Sequence, residues 1–536
     1  MSRSIQAPSA IRPVVWSIAG SDSGGGAGVQ ADLLTMQDLG CHGCSVLTCL
    51  TAQSSVAVSL VEAVSLEMFR SQLDTLLQDL PPAVIKIGLV VNQIQIFFLA
   101  NWLENKLSSY KKRTGVEVSV ILDPVMFASC GDTLTPLLDF SPFRGLLSLI
   151  TPNIAELAAL VDKSDINASE MIIKQGSGLV DQTSCLRAAK QLSKMLICNV
   201  LAKGGDLGPT WHLEYAHDIF ICAATKGSSA LHQERNFLLS SQRVNSDNTH
   251  GSGCTLSAAI ASVLAHGYVL HDAIVVAKAY VTAGIAMSYK VGCGAGPLAR
   301  TGWPSDLRVY PTIISLDCGP SLPDELKFKP IVERLGLYPV VADVALLHCL
   351  LKAGAKTIQL RIKEEATRQI EEQICSAIQL GRDYQAKLFI NDHWELALKH
   401  GAYGVHLGQE DLYLADLTEI AKAGMALGIS SHSYFELLLA HHISPSYVAL
   451  GHIFPTTTKD MPSAPQGLQK LKKYVDLLGK HYPLVAIGGI DASRLTSVKK
   501  TGVHDVAVVR AVAQASDPAT AFTLLSDAWE ADDATQ

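Results

Sequence analysis

Short apolar runs alternate with longer amphipathic segments along the whole chain. This alternation is typical of βα units, in which helices bury both faces of a parallel sheet. In the first half it predicts strands at residues 14–19, 84–87, 118–122 and 200–202. The nearly uncharged stretch 254–265 is too short to span a bilayer and predicts a buried helix. The first half is therefore predicted to be an α/β/α sheet domain.

The second half contains eight apolar runs of strand length. They lie at residues 338–342, 357–360, 388–390, 404–407, 426–429, 447–450, 484–487 and 506–509. Helix-length segments separate most of them. Eight βα units in so short a stretch predict a (β/α)8 barrel, also called a TIM barrel.

A proline-rich segment separates the two halves. Residues 304–330 contain five prolines, which prevent a continuous helix or a central strand: Pro304, Pro311, Pro320, Pro323 and Pro330. We therefore expect a first domain at 1–303, a linker at 304–330 and a second domain at 331–536. Each domain is long enough for one α/β fold.

Charge and composition exclude several classes of partner. The 43 Lys and Arg residues are outnumbered by 50 Asp and Glu residues, so the net charge of −7 gives no bulk attraction to nucleic acid or to an anionic membrane. The N-terminus lacks the apolar core of a signal peptide, and no apolar run approaches the length of a membrane span. Twelve scattered cysteines suit the reducing cytoplasm. Small-molecule substrates are expected, and the oligomeric state stays open, a homo-oligomer included.

Two glycine-rich motifs suggest phosphate chemistry in the first half. The loop GSDSGGGAG at 20–28 follows a predicted strand, but no Gly-Lys-Ser/Thr follows it as in a Walker loop. The stronger motif is at 248–260, where Gly251, Ser252 and Gly253 open the predicted helix. Free N–H groups and the helix dipole make such an end a site for a phosphoryl group in transfer. The same field is expected to lower the pKa of Cys254, so that its thiolate accepts a proton from a substrate hydroxyl. The alternative for Cys254 is a small packing residue.

Two further motifs suit ATP and Mg²⁺. Asn153 and Glu156 are three residues apart, so on a helix they share one face, where they can organise magnesium and its waters. The alternative is a helix cap, because Asn caps well and Glu is favoured three residues later. Lys203 ends a predicted strand, where it can meet a nucleotide phosphate.

Together these motifs resemble the ribokinase-like superfamily and, within it, the hydroxymethylpyrimidine/phosphomethylpyrimidine kinases. The matching strings are AGSDSGGGAGVQAD (19–32), LTAQ (50–53), KIG (86–88), DPVM (123–126), TPNIAEL (151–157), KGG (203–205) and THGSGCTLSAAIA (249–261). The resemblance implies that ATP and Mg²⁺ are used to phosphorylate the pyrimidine alcohol and then its monophosphate, with Cys254 as the base. It also implies that the pyrimidine is surrounded by Gly20, Ala27, Asp32, Gln53 and Val125. Leu89 and Asp206 depart from the family pattern, in which Met and His are usual.

In the second half, residues suited to phosphate and metal binding follow the predicted strands, where barrel active sites lie. Asp392 and Asp411 offer hard oxygens for Mg²⁺. Arg361, Lys363 and Lys459 offer positive charge for a departing diphosphate. The end of the last strand and the preceding glycine pair occupy the usual phosphomonoester site of such barrels.

This half resembles thiamine-phosphate synthase over about residues 335–520. The supporting strings are QLRIK (359–363), IND (390–392), GVHLGQEDL (404–412), GISSHS (428–433), FPTTTK (454–459) and AIGGI (486–490). The resemblance implies that a pyrimidine diphosphate couples to thiazole phosphate, giving thiamine phosphate and diphosphate. The residues it implies for the pyrimidine diphosphate are Gln359, Arg361, Lys363, Asn391, Ser430 and Lys459. Those implied for the thiazole phosphate are Thr456, Thr458, Gly488, Gly489, Val508 and Val509.

The two halves together predict a bifunctional enzyme of thiamine biosynthesis. One alternative for the first half is a pyridoxal-type kinase, against which Cys254 and the LTAQ string argue. An alternative for the second half is a non-catalytic ligand-binding barrel, against which Asp392, Asp411 and Lys459 argue. Arg510, where serine is usual, does not oppose phosphate binding.

Overall fold

The computed structural model describes residues 12–128, 131–161, 181–205, 214–223, 236–317, 326–362, 367–456 and 464–531. The chain divides into two compact units, Met1–Cys318 and Gly319–Gln536. Each unit has a hydrophobic core of its own.

One ten-stranded sheet forms the centre of the first unit. Its strands are β1 (Val14–Asp22), β2 (His42–Gln53), β3 (Val58–Ala63), β4 (Val84–Ile87), β5 (Ser119–Leu122), β6 (Leu149–Ile150), β7 (Asn199–Lys203), β8 (Tyr215–Ile221), β9 (Phe237–Gln242) and β10 (Thr312–Ser315). They lie in the order β10-β9-β8-β7-β6-β5-β4-β1-β2-β3. The run from β7 to β2 is parallel, whereas β3 at one edge and β8, β9 and β10 at the other are antiparallel. The carboxyl ends of the parallel strands therefore meet at one edge of the sheet.

Helices cover both faces of this sheet. They are α1 (Gly28–Asp38), α2 (Leu66–Asp79), α3 (Gln93–Trp102), α4 (Ser108–Thr114), α5 (Ile154–Val161), α6 (Gln182–Leu196), α7 (Ser252–Ala265) and α8 (Leu270–Ala286). Because successive side chains of a strand point to opposite faces, Trp16 and Ile18 of β1 join the core that includes α2, α3, α5 and α6, whereas Ser17 faces α1. The apolar stretch that predicted a buried helix forms α7, whose side chains are mostly buried.

The second unit is a closed barrel of eight parallel strands. They are β11 (Leu337–Val341), β12 (Thr357–Leu360), β13 (Lys387–Asn391), β14 (Gly404–Leu407), β15 (Ala426–Ser431), β16 (Tyr447–Leu450), β17 (Leu484–Ala486) and β18 (Asp505–Val508), and β18 pairs with β11. The surrounding helices are α9 (Val344–Lys352), α10 (Thr367–Asp383), α11 (Trp394–His400), α12 (Leu417–Lys422), α13 (Tyr434–Ile443), α14 (Gly467–Leu478), α15 (Ala492–Lys499), α16 (Arg510–Ala513) and α17 (Pro518–Glu530). Inside, the rings of Tyr338, Phe389 and Tyr447 pack with centroids 5.1–6.0 Å apart. The interior is thus a packed core.

The predicted fold classes of both halves are confirmed, and every predicted strand is present. The four strands predicted for the first half were incomplete, since β2, β3, β6, β8, β9 and β10 were not predicted. β3 is an edge strand whose side chains are exposed or half-buried, so it lacks the apolar run of a central strand. β6 contains only two residues.

The proline-rich segment contributes to both units. Thr312–Ser315 forms β10, which pairs with β9 as the edge of the first sheet, a position that tolerates nearby prolines. Tyr310 is buried. At the other end, the backbone N–H of Lys329 donates to the carbonyl of Met425 in the barrel unit. The expected linker at 304–330 is therefore too wide, because its described parts belong to one unit or the other. Among the described residues, no helix is both long and apolar enough to cross a membrane.

Candidate active sites

The two glycine motifs of the first unit meet at the carboxyl edge of the sheet. Gly251 precedes α7 with a φ of 75°, and a Cβ at this position would collide with the carbonyl oxygen of Gly26. Glycine at 251 thus allows both the left-handed backbone and the close approach of the two loops. The loop after β1 and the start of α7 therefore form one surface.

Asp22 fastens these two loops together. Its carboxylate accepts the N–H groups of Gly24, Gly26 and Ala27 at 2.8–3.1 Å, and it lies 3.2 Å from Nε2 of His250. Burial alone would raise the pKa of Asp22, but the His250 hydrogen bond and the backbone N–H groups hold that pKa below its ordinary value. Ala27 is thereby held against the start of α7.

A buried ion pair lies beneath this surface. The ammonium of Lys86 on β4 lies 2.7 and 3.0 Å from the two carboxylate oxygens of Asp32 on α1, and Ser17 donates to Asp32 at 2.5 Å. Both charged side chains are fully buried. Burial alone would lower the pKa of Lys86, but Asp32, Cys254 and Asp123 together raise that pKa above its ordinary value, so the lysine stays protonated. Asp32, predicted to surround the pyrimidine, has both carboxylate oxygens engaged in this pair.

The thiol of Cys254 lies within the electrostatic influence of this pair. Burial raises the pKa of Cys254 to about 11, because the effect of burial and of the Asp32 and Asp123 charges exceeds that of Lys86 and of the Gly28 N–H. The prediction that the helix end lowers this pKa was therefore wrong. Burial disfavours the charged thiolate at this position.

Lys203 lies beside the first turn of α7. Its ammonium is 2.8 Å from Oδ1 of Asp123, and Ser257 donates to Oδ2 of the same carboxylate at 3.3 Å. A Cβ placed on Gly253 would lie 3.1 Å from the Lys203 ammonium. The structure thus brings together Lys203 and the predicted phosphoryl site at 251–253. Asp123, like Lys86, was part of a matching string but had no predicted role.

The remaining predicted residues of this site lie around the same edge. Asn153 and Glu156 form a reciprocal helix cap: the Asn153 N–H donates to Glu156 at 2.7 Å, and the Glu156 N–H donates to Asn153 at 2.8 Å. The backbone of Asn153 also pairs with that of Lys203 in an isolated parallel β-bridge. Gly20 closely approaches Cys49, since a Cβ at 20 would lie 2.7 Å from its sulfur. Gln53, which ends β2, and Val125, which follows β5, are half-buried. Asp206 lies outside the described residues.

The barrel contains a chain of polar side chains inside its strands. Gln359 donates to the hydroxyl of Tyr338 at 2.8 Å, and the Tyr338 and Tyr447 hydroxyls are 2.7 Å apart. His406 then bridges the Tyr447 hydroxyl at 2.7 Å and that of Ser430 at 2.8 Å. Burial, reinforced by Arg361, lowers the pKa of His406 to about 3, so its imidazole is neutral. No site role was predicted for Tyr338, Tyr447 or His406. The available signal was that each is a polar residue within an apolar run of strand length.

Asp392 and Asp411 lie together at the mouth of the barrel. Burial and the charge and hydrogen bond of Asp411 raise the pKa of Asp392 to about 6, against the effect of Arg361 and Asn391. Asp392 has a φ of 63°, and its N–H donates to the carbonyl of His406. Two carboxylates this close offer hard oxygens to a divalent cation. Within the described residues, no group of three or more His, Cys, Asp or Glu side chains has the arrangement of a metal site.

Some of the other predicted barrel residues lie within the described part of the chain, and some lie outside it. Gly488 and Gly489 both have positive φ, and the Phe454 N–H donates to the Gly488 carbonyl at 3.0 Å. Val508 ends β18, Val509 follows it, and Thr456 is half-buried. Three predicted residues lie outside the described residues: Lys363, Thr458 and Lys459.

Comparison with known protein families divides the chain in the same way. Residues 22–299, just over half of the chain, match the family model described as phosphomethylpyrimidine kinase. Residues 337–512 match the model described as thiamine monophosphate synthase.

Individual proteins are similar to parts of the chain. A thiamine-phosphate synthase of Pectobacterium atrosepticum is 57% identical over 194 residues, which are 36% of this chain and 91% of that protein. A thiamine-phosphate synthase of Escherichia coli O6:H1 is 54% identical over 191 residues, which are 36% of this chain and 90% of that protein. A solved phosphomethylpyrimidine kinase from Clostridium difficile 630 is 28% identical, with a TM-score of 0.35, and the match covers 51% of this chain and 98% of that chain.

Proposed function

Because the chain belongs to the phosphomethylpyrimidine kinase family and, in its second half, to the thiamine monophosphate synthase family, it is a bifunctional enzyme of thiamine biosynthesis, and we propose how its residues divide the work. The first unit phosphorylates 4-amino-5-hydroxymethyl-2-methylpyrimidine and then its monophosphate with ATP. The barrel couples the resulting diphosphate to thiazole phosphate. A pyridoxal-type kinase is not favoured, since the matching family model is that of the pyrimidine kinases.

In the kinase unit, the residues mainly orient the two substrates and offset charge. Phosphoryl transfer has little covalent chemistry for a protein to perform, so position and electrostatics dominate. The start of α7 at Gly253 lies beside the ammonium of Lys203, and the transferred group is proposed to lie there. The loop at 20–28, with Gln53 and Val125, forms the pyrimidine side of the site.

Cys254 is proposed to receive the proton of the substrate hydroxyl. The new bond joins that hydroxyl oxygen to the γ-phosphorus, the bond from phosphorus to ADP breaks, and the proton passes to the thiolate sulfur. Because the pKa of Cys254 is about 11, the reactive form is a small fraction of the enzyme at neutral pH. Lys86 stabilises that thiolate by its positive charge.

The residues around Lys203 fit a magnesium–nucleotide complex. The backbone of Asn153 pairs with that of Lys203 in an isolated β-bridge, so the cap formed by Asn153 and Glu156 lies at the same end of the sheet as Lys203. Mg²⁺, when bound, neutralises charge on the ATP phosphates, and Glu156 with Asn153 would hold it. The cap hydrogen bonds keep both side chains in place for that role.

In the barrel, the contact between Asp392 and Asp411 is the observation that carries the proposal. Burial and then the charge of Asp411 raise the pKa of Asp392, and a divalent cation would offset the charge of both carboxylates, so the pair fits Mg²⁺. Mg²⁺, when bound there, offsets the charge of the departing diphosphate. Arg361, which acts electrostatically on Asp392, adds a positive charge at the same mouth.

The polar chain inside the barrel is proposed to hold the aminopyrimidine. Gln359, His406 and Ser430 are neutral hydrogen-bonding groups, so they orient the ring without opposing the positive charge that develops when diphosphate leaves. The thiazole nitrogen is already a nucleophile and needs no general base. Gly488, Gly489, Val508 and Val509 are proposed to bind the thiazole phosphate.

The test is a coupled reaction followed by phosphorus NMR. The whole chain receives the pyrimidine alcohol, ATP, Mg²⁺ and thiazole phosphate, and thiamine phosphate and diphosphate are expected. Lys203→Ala should slow the first half only, so that added pyrimidine diphosphate restores product at the wild-type rate. Absence of product from added pyrimidine diphosphate and thiazole phosphate would support a non-catalytic barrel and contradict the proposal.

A further inference from the structure

The turn that carries Lys203 is held on both of its sides. On one side, the Gly204 N–H donates to Oδ1 of Asp218 at 3.0 Å. On the other side, the guanidinium of Arg243 donates to the Gly205 carbonyl at 2.6 Å and reaches the Gly204 carbonyl at 3.5 Å. The backbone of the turn is therefore fixed by side chains from beyond its own strand, on β8 and just after β9.

Asp218 is itself fixed by a buried lysine. Its second carboxylate oxygen lies 2.6 Å from the ammonium of Lys278 on α8, and the two residues are only 2% and 8% exposed. A buried ion pair of this kind gives little net stability, since apolar residues of similar volume often serve as well. Such a pair is better explained by what it holds in place than by what it adds to the free energy of folding.

The position of the Lys203 ammonium depends on this turn. The backbone N–H of Lys203 donates a hydrogen bond to the carbonyl of Pro152 at 2.8 Å. Lys203 also lies opposite Asp218 in the antiparallel pair of β7 and β8. The ammonium is held at 2.8 Å from Asp123 beside Gly253. A shift of the following glycines would move the end of β7, and with it the flexible side chain that reaches the phosphoryl site.

We propose that Asp218, Lys278 and Arg243 are positioning residues, which fix the turn 203–205 so that Lys203 meets the phosphates of ATP. None of the three touches substrate in this assignment. The inference rests on the proposed kinase function, and in particular on the role of Lys203 toward ATP.

The test compares Michaelis constants for the two kinase substrates. Asp218→Asn keeps the shape of the side chain but breaks the ion pair, and we expect it to raise KM for ATP roughly tenfold or more, since misplacement of about 1 Å can cost about 10²-fold. KM for the pyrimidine should stay within about twofold of wild type. Arg243→Gln, which loosens the opposite side of the turn, should show the same split.

Two further variants separate positioning from folding. Tyr280→Phe, on the same helix as Lys278, removes a hydrogen bond to Asp38 without touching the turn, and its KM for ATP should not change. Asp218→Asn/Lys278→Met leaves no unpaired buried charge, so it should recover thermal stability while KM for ATP stays high.

The outcomes distinguish failure of the positioning role from failure of the proposed role of Lys203 toward ATP. If Lys203→Ala raises KM for ATP and neither Asp218→Asn nor Arg243→Gln does, the positioning role is wrong and the kinase assignment stands. If Lys203→Ala itself leaves KM for ATP at the wild-type value, the proposed role of Lys203 fails first.

Discussion

Asp392 and Asp411 contact each other at the mouth of the barrel although they follow different strands, and burial together with the charge of Asp411 raises the pKa of Asp392 to about 6. Like charges are held so close only where the surrounding fold fixes them. Arg361 partly offsets the repulsion. This relationship gives the synthase half its most direct test.

Asp392→Asn or Asp411→Asn should abolish thiamine phosphate formation, because either change removes one of two proposed magnesium ligands. The loss corresponds to several kcal/mol of charge stabilisation in the transition state. Phosphorus NMR of the coupled reaction should show pyrimidine diphosphate accumulating from the intact kinase. Asp416→Asn, which changes only the cap of α12, is the control. Wild-type diphosphate release with unchanged Mg²⁺ dependence in both variants would refute the metal assignment.

Cys254→Ala should lower kinase turnover by about 10²–10⁴-fold, the usual contribution of a general base. Because the thiolate is the reactive form and the pKa of Cys254 is about 11, wild-type kcat/KM should rise with pH between pH 7 and 10, and the variant should lose that slope. Synthase activity on added pyrimidine diphosphate should not change. Cys198→Ala, which removes a buried thiol elsewhere in the same unit, is the control. Turnover of Cys254→Ala within twofold of wild type would remove this residue from the mechanism.

His271 should make the first unit sensitive to acid. Its ring lies 5.2 and 5.3 Å from those of Phe220 and Phe237, and burial lowers the pKa of His271 to about 4. The unfolded chain binds a proton near pH 6.5 and the folded chain does not, so stability is present above pH 6.5 and is lost as pH falls toward 4, by up to about 1.4 kcal/mol per pH unit.

The measurement is the unfolding free energy of wild type and His271→Leu between pH 7.5 and 5. The variant should lose less stability over this range. His42→Gln, at an exposed position, should behave as wild type. Parallel pH curves for wild type and His271→Leu would contradict the prediction.

The two units should fold and work when expressed separately as 1–318 and 319–536. A fragment ending at 303 should be less stable than one ending at 318, because it lacks β10 and the buried Tyr310 and so exposes the edge of β9. Thermal melting and kinase assays on the two N-terminal fragments check this. Equal melting temperatures would show that β10 adds nothing, and insolubility of both halves would show that they share an essential interface.

The sequence alone predicted those features that are indicated by a pattern over a few neighbouring residues. The start of α7 and the strands of the barrel were predicted because glycines and apolar runs are visible over a few positions. The direction of the Cys254 pKa was not, since it depends on burial by distant elements. The cap formed by Asn153 and Glu156 was foreseen as an alternative, and the structure contains it.

The residues that were missed have partners far away in sequence. Lys86 stands alone among apolar neighbours, and a lysine in a buried strand requires a counter-charge, but only the fold identifies it as Asp32. His406 and Tyr447 similarly interrupt apolar runs, yet their hydrogen bonds cross the barrel interior. Periodicity indicates such positions without naming their partners.

The contact between Asp22 and His250 also sets an order of events during synthesis. The two residues are 228 positions apart, which corresponds to roughly 10–45 seconds of translation at about 5–20 residues per second. Throughout that interval the nascent chain has its first glycine loop but not the helix start that fastens it. If the pyrimidine binds at the proposed site, a ribosome-attached chain should not bind it until α7 has emerged, and we expect substrate to give no help to the early folding of this domain.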